Sequence, residues 1–312
     1  MTQSSDNAYS VLSFPILAGM SYPGLESQGL PHIVADPAAI LALPVGQRAQ
    51  VRVLMTSATR GCSAQLAEAL PNLRLVVSQG AGQDKIDLPA LEARGVRIRS
   101  VGEALTEDVA DMAMALVQMT TRNLVQADAF VRRGEWPSGR FAVGHSLVGA
   151  TIGIGGLSGR IGQAIARRAV ASCMKVAGLQ RASNADLGVP LYDDMRALAE
   201  ASDVLVLALP GGSALRHVVG AAELAALGPK GRLVNVGRGE LVDTEALIAA
   251  LEGGVILAAG LDVVEGEPQV PERLRRLPNV VLTPHIGAAT WGHRERAARI
   301  AEAEVLAALA TA

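Results

Sequence analysis

Three short segments of this 312-residue chain set an arginine, a carboxylate and a histidine just beyond apolar runs: 235–239 (Asn-Val-Gly-Arg-Gly), 260–268 (Gly-Leu-Asp-Val-Val-Glu-Gly-Glu-Pro) and 283–290 (Thr-Pro-His-Ile-Gly-Ala-Ala-Thr). Arg238 presents a planar fork that matches a carboxylate and polarises a carbonyl. Imidazoles titrate near neutral pH, so His285 can pass a proton to a developing alkoxide. Glu267 can bond to that ring, orient it and keep it protonated. Taken singly, each has a plain reading: Arg238 as a solvated loop residue, Glu267 beside Glu265 and Pro268 as a solvated acid, His285 as the cap of a strand end. Their joint occurrence favours chemistry. By contrast His32, His145, His217 and His293 have no such partners in the sequence and read as structural or surface residues.

These residues need a scaffold that ends several strands side by side, and the pattern of the chain supplies one. Short apolar runs alternate with helical patterns, the signature of repeated βαβ units and hence of an α/β fold with doubly wound parallel sheets. Runs at 51–57 and 73–78 read as strands with a helix at 64–70 between them. A long helix is expected over 103–121, opened by Glu107 and Asp108, with Val109, Met112, Ala113, Leu116 and Val117 on one face. From 151 a second series begins, with six parallel strands expected near 151–156, 174–179, 203–209, 232–236, 256–261 and 280–282. An alanine-rich helix closes the chain over 291–309. The segment 122–146, polar and interrupted by Gly and Pro, reads on its own as a surface loop.

Composition narrows the class. Hydrophobic residues make up 50% of the chain and aromatics only 3%, which suits small side chains packed between helices and a parallel sheet. The length allows two domains. A formal net charge of −2 without a basic cluster argues against nucleic acid as a partner. The apolar run 11–20 lacks a positive flank before it and contains Pro15, so it reads as a first strand and turn rather than a signal peptide. No stretch approaches the roughly 20 apolar residues of a membrane span, so a soluble, cytoplasmic protein is expected. Cys62 and Cys173 stand in no metal or redox motif and read as inert, partly buried thiols, and no metal site is expected.

The segment 151–162 runs from a strand through a glycine-rich turn into a helix expected over 160–172. Such a turn lets backbone N–H groups approach a pyrophosphate at the helix N-terminus. Gly156, Leu157, Ser158, Gly159, Arg160, Ile161 and Gly162 are the candidate contacts, spaced G-x-x-G-x-x-G. Glycines serving only tight strand-to-helix packing are the alternative for any one of them. An NAD enzyme would carry an acidic residue about 20 residues on, at the end of the next strand, for the ribose hydroxyls. Here Gln180-Arg-Ala-Ser183 stands instead, with no carboxylate before Asp186. Arg181 could pair with a 2′-phosphate and Ser183 donate to it, which points to NADP in preference to NAD; a solvated Arg181 is the bland alternative.

The order and spacing of Arg238, Glu267 and His285 resemble the D-isomer-specific 2-hydroxyacid dehydrogenases, especially their glyoxylate/hydroxypyruvate reductase branch, over roughly 73–294. Family members read G-L-G-x-I-G in the glycine loop, one residue shorter than this chain, and the extra residue bears on cofactor affinity. The resemblance implies a Rossmann-like cofactor domain, 103–286, inserted in a flavodoxin-like substrate domain made of 1–102 and 287–312. It implies reduction of small 2-oxo acids such as glyoxylate and hydroxypyruvate by NAD(P)H, with His285 as proton donor, Glu267 assisting it and Arg238 on the substrate. It also implies that 122–146 is an arm embracing a second subunit, hence a homodimer. By the same likeness Val109 lines the nicotinamide, Asp262 binds its amide, Leu209 and Pro210 form a turn beneath the adenosine, and Val236, Gly237 and Gly287 join Arg238 and His285 around the cofactor. Ala81 and Gly82, in Ser78-Gln-Gly-Ala-Gly-Gln-Asp84, offer N–H groups to the substrate carboxylate.

Within the superfamily a phosphite dehydrogenase shares the Arg-Glu-His set, whereas formate dehydrogenases carry glutamine in place of Glu267 and phosphoglycerate dehydrogenases often continue into a regulatory domain. From a different class, an NAD(H)-sensing corepressor can keep this fold and the same three residues. Turnover of glyoxylate with NADPH discriminates it from an enzyme.

Overall fold

The computed structural model describes residues 9–15, 20–57, 59–80 and 82–310. They divide into two compact units, one drawn from the chain up to Leu105 and again from Ala289, the other Thr106–Ala288.

In the first unit β1 (Val11–Ser13), β2 (His32–Ile33), β3 (Val53–Thr56), β4 (Leu75–Ser78) and β5 (Arg97–Ser100) form a parallel sheet in the order β2-β1-β3-β4-β5. Side chains alternate between its two faces, and both faces are buried. Val53, Met55, Leu75 and Val77 pack with Tyr22, Leu25 and, from the terminal helix Trp291–Ala310, Ala297, Ala301 and Val305. Leu54 and Val76 point the other way, against Ile40, Leu66, Leu70 and Leu91. Small polar side chains start the covering helices: Ser63 Oγ accepts the Leu66 N–H at 3.2 Å, and the carboxylates of Asp36 and Asp87 do the same for Ala39 and Ala90. β1 is the strand expected in the run 11–20, of which 16–19 lie outside the described residues.

The second unit holds β6 (Thr151–Gly155), β7 (Lys175–Leu179), β8 (Leu191–Tyr192), β9 (Val204–Leu207), β10 (Arg232–Asn235), β11 (Ala258–Leu261) and β12 (Val280–Leu282), all parallel, in the order β12-β11-β10-β9-β6-β7-β8. The order reverses between β6 and β9, which makes that gap the topological switch point of a Rossmann-type sheet. Six strands were expected and seven are present. β8 is two residues long, paired through Gly178↔Leu191 and Leu179↔Tyr192, too short to leave a period in the sequence.

The helix expected over 103–121 begins as a 3-10 turn, Gly102–Leu105, and becomes α-helical over Thr106–Arg122. Met114 occupies the buried face where Met112 was expected; Met112 is half-buried. Gly260 in β11 lets this helix lie on the sheet, since a Cβ there would sit 3.0 Å from that of Leu116. The segment 122–146 is not a plain loop: it contains the helix Leu124–Arg132 and a 3-10 turn, Trp136–Ser138. Leu124, Val125, Val131, Trp136 and Val143 on it are exposed.

No described helix is long and apolar enough to cross a membrane, and no cluster of three or more His, Cys, Asp or Glu able to hold a metal ion occurs among the described residues. Cys62 is buried, and burial pushes its thiol up to about 11. Cys173 is exposed at a left-handed φ of 60°, not partly buried as expected.

Candidate active site

Every polar residue singled out in the second half of the sequence follows the carboxyl end of a parallel strand. The loop after β10 is shaped by Asn235, a buried amide that holds its own turn: Oδ1 accepts the Gly237 N–H at 3.0 Å and Nδ2 donates to the Arg238 carbonyl at 2.8 Å. The Arg238 side chain is half-buried, and Nη1 donates to the Gly237 carbonyl at 2.9 Å. Gly237 is bare because a Cβ would lie 2.6 Å from the Leu209 carbonyl oxygen, so the turns after β9 and β10 touch. Gly239 is bare for a similar reason, its missing Cβ being replaced by the backbone of Val264 and Glu265.

After β11 the chain makes a turn, 264–267, closed on itself. The Glu267 N–H donates to the Val264 carbonyl at 3.1 Å, and the Val264 N–H donates back to Glu267 Oε2 at 3.2 Å. That leaves Oε1 for His285, whose Nδ1 is 2.5 Å away. His285 itself sits beyond β12 with φ +55°, a left-handed conformation that costs a non-glycine residue about 1–2 kcal/mol and marks a position held by its surroundings. With Nδ1 on the carboxylate, Nε2 is bonded to no described residue. The ring is half-exposed, at 53% of its side-chain surface, so it can meet a small molecule.

Asp262 is buried, and its carboxylate faces the His285 loop. It accepts from Thr283 Oγ1 at 2.6 Å, from the Ile286 N–H at 2.9 Å and from the Gly287 N–H at 2.8 Å. Val109, from the helix Thr106–Arg122, is 3.6 Å from where a Gly287 Cβ would be and belongs to the floor of this loop.

The glycine loop follows β6, at the switch point. Gly156 takes φ +97° and passes the Ala208 carbonyl oxygen so closely that a Cβ would approach it to 2.6 Å. A Cβ on Gly162 would overlap the Gly156 carbonyl. Packing therefore accounts for both of these glycines. Gly159 caps the helix Arg160–Ala171 without any side-chain bond, so the first-turn N–H groups stay available to an anion. Leu157 is a core residue, set against Gly178; its backbone, not its side chain, can face a cofactor. Ser158 is half-buried and its carbonyl accepts from Gln163 Nε2 at 3.3 Å. The loop, its open helix end and its place in the sheet fit a dinucleotide pyrophosphate.

The sequence profile of the D-isomer specific 2-hydroxyacid dehydrogenase NAD binding domain matches residues 114–287. Glyoxylate/hydroxypyruvate reductase A of Arabidopsis thaliana is 43% identical over 78% of this chain and 77% of its own length. This chain belongs to the D-isomer specific 2-hydroxyacid dehydrogenase family. Among solved structures, a 2-hydroxyacid dehydrogenase from Ketogulonicigenium vulgare Y25 superposes with a TM-score of 0.88 at 33% identity, covering 98% of this chain and 96% of its own. An NADPH-dependent glyoxylate/hydroxypyruvate reductase from Sinorhizobium meliloti, in complex with NADP and malonate, superposes with a TM-score of 0.82 at 36% identity, covering 94% and 92%.

This dehydrogenase is an oxidoreductase that works with a nicotinamide cofactor. Where the ribose would be read, at the end of β7, Gln180 and Arg181 are exposed. The Arg181 guanidinium rests on its neighbour's backbone, Nη1 donating to the Gln180 carbonyl at 2.8 Å, and Ser183 is exposed in the 3-10 turn Ala182–Leu187. Pro210 is exposed on the turn after β9, and Val236 is buried beneath the Arg238 loop. In the first unit, Gly82 is buried in the loop after β4, where its carbonyl accepts from Ser78 Oγ at 3.3 Å. Ala81 lies outside the described residues.

His217 has a carboxylate partner after all: Nε2 is 3.0 and 3.1 Å from the two oxygens of Glu265. Forty-eight positions separate the pair, so no local spacing announces it. Asn235 and Thr283, which shape the loops carrying Arg238 and His285, also went unassigned. Both sit inside the motifs, and an amide or hydroxyl just after an apolar run was the available signal.

Proposed function

We propose that this dehydrogenase reduces glyoxylate and hydroxypyruvate, with NADPH as the preferred cofactor. The Glu267–His285 contact carries the reading: a carboxylate on Nδ1 leaves Nε2 as the site from which a proton reaches the substrate carbonyl oxygen. When bound, the reduced nicotinamide supplies the hydride to the carbonyl carbon. Arg238 pairs with the substrate carboxylate and draws charge onto the carbonyl oxygen, which its planar fork allows and an ammonium would not. His285 Nε2 gives up its proton as that oxygen becomes a hydroxyl, and Glu267 stabilises the ring while it is cationic. In the first unit, the N–H groups of the 81–82 loop are proposed for the substrate carboxylate.

For the cofactor, the N–H groups of 160–162 are proposed to hold the pyrophosphate, with Gly156, Leu157, Ser158 and Gly159 lining the turn, which the Gly159 N–H closes on the Gly156 carbonyl at 3.0 Å, Leu209 and Pro210 beneath the adenosine, and Arg181 and Ser183 on a 2′-phosphate. Val109, Val236, Gly237, Asp262 and Gly287 are proposed around the nicotinamide. The absence of a carboxylate over 180–185 supports NADPH, as does the NADP held by the Sinorhizobium meliloti relative. The exposed apolar residues of 124–143 support a homodimer formed through that segment. An exposed free thiol at Cys173 suits a reducing compartment, for which the cytoplasm is proposed.

The test is kcat/KM for a panel of 2-oxo acids with each nicotinamide. Glyoxylate and hydroxypyruvate should lead, and turnover of larger 2-oxo acids alone, or of none, would sink the assignment.

A further inference from the structure

Glu265, two residues upstream of Glu267, pairs with His217, and the geometry of the pair is not that of a loose surface contact. Glu265 meets Nε2 of His217 through both oxygens and Arg216 Nη2 at 2.5 Å, with the His217 and Glu265 side chains only 33% and 28% exposed. His217 and Arg216 come from the stretch after β9, so they reach the β11 turn from another loop. His217 takes φ +54°, a backbone that L residues avoid, and its N–H donates to the Glu240 carbonyl at 2.8 Å. On the far side of the ring, Nδ1 is 4.0 Å from Asp243 Oδ2. The imidazole is thus bracketed by two carboxylates, and its Nε2 is aimed at one of them.

What Glu265 anchors is the turn that presents Glu267. Reciprocal bonds between Val264 and Glu267 make 264–267 a closed unit, and Gly239 packs without a side chain against the backbone of Val264 and Glu265. Such a unit moves as one piece. Holding its Glu265 side chain therefore sets where Glu267 Oε1 stands relative to His285 Nδ1, and a hydrogen bond weakens steeply with small displacements. We propose that Arg216 and His217 are positioning residues which, through Glu265, hold Glu267 within hydrogen-bonding distance of His285. The proposal rests on the catalytic reading of Glu267 and His285.

A double-mutant cycle with glyoxylate and NADPH tests it. His217→Ala should lower kcat about tenfold while leaving the Kd for NADPH and the melting temperature nearly unchanged, and His217→Gln, which keeps a donor toward Glu265, should recover most of kcat. In a Glu267→Gln background the same His217→Ala change should cost less than about twofold, because the group being positioned is already gone. If Glu267→Gln lowers kcat but His217→Ala costs the same factor in both backgrounds, the positioning role is overturned and the catalytic reading stands. If Glu267→Gln leaves kcat unchanged, the catalytic reading itself falls and takes the positioning role with it. A loss confined to NADPH affinity or to the melting temperature would show that His217 serves the cofactor or the fold instead.

Discussion

Asp262 holds the loop of His285 by backbone and side chain at once. The His285 N–H donates to the Asp262 carbonyl at 2.9 Å, while the next two N–H groups, of Ile286 and Gly287, donate to the Asp262 carboxylate. A left-handed residue at the end of a strand is thereby given a fixed aim.

Asp262→Asn should therefore disturb chemistry from beneath the loop. An amide has one acceptor oxygen for three donors and turns an N–H toward the Gly287 N–H. Leaving a buried donor unpaired costs about 1–3 kcal/mol. Thermal unfolding should fall by a few degrees, and kcat for glyoxylate by tenfold or more. A variant with wild-type kcat would show that Pro284 and Thr283 hold the loop without it.

His285→Ala removes the proposed proton donor and should lower kcat by ~10²–10⁴ while NADPH still binds. Fluorescence titration of NADPH beside steady-state turnover separates the two. Lost cofactor binding with normal turnover at saturation would contradict the role given to the ring.

Arg181 is exposed, and among the described residues its guanidinium bonds to the Gln180 backbone carbonyl alone, a contact that a 2′-phosphate can replace. A charge-assisted bond is worth roughly 1.5–3 kcal/mol, and 1.4 kcal/mol is a factor of ten. Arg181→Ala should therefore lower the ratio of kcat/KM for NADPH to that for NADH by about tenfold or more. An unchanged ratio would reduce Arg181 to a surface residue.

The two thiols should differ sharply toward an alkylating reagent. With its thiol pushed up to about 11 by burial, Cys62 is about 0.1% thiolate at pH 8, and it is also shielded. Cys173 lies in solvent. Mass spectrometry after iodoacetamide at pH 8 should find one label per native chain, on Cys173, and two after unfolding. The reactivity of Cys62 should stay far below that of Cys173 at pH 8 and climb steadily as the pH is raised toward 11; labelling of Cys62 in the native protein at pH 8 would contradict its burial.

The central strands were legible because parallel strands buried on both faces are almost wholly apolar, as Val204–Leu207 is throughout and Leu75–Ser78 is up to its final serine. The edge strand Leu191–Tyr192 was not, because two residues carry no period. Within 122–146, glycine and proline near 134–139 masked the helix Leu124–Arg132 that precedes them. Its exposed apolar side chains do not face a core of their own unit, so the usual burial stripe gave little guidance.

By itself the sequence determined the apolar sheet-forming runs, though not the short or charged strands His32–Ile33, Arg97–Ser100 and Leu191–Tyr192, together with the glycine turn and the three polar residues with their order, because each is written in a few neighbouring positions. Only the tertiary structure decided what those residues touch. The pairing of Glu267 with His285 spans 18 positions, that of Asp262 with Gly287 spans 25 and that of His217 with Glu265 spans 48. Parallel crossovers bring strand ends together whose sequence separation follows from the lengths of the intervening helices, and no local pattern records which side chains will then meet.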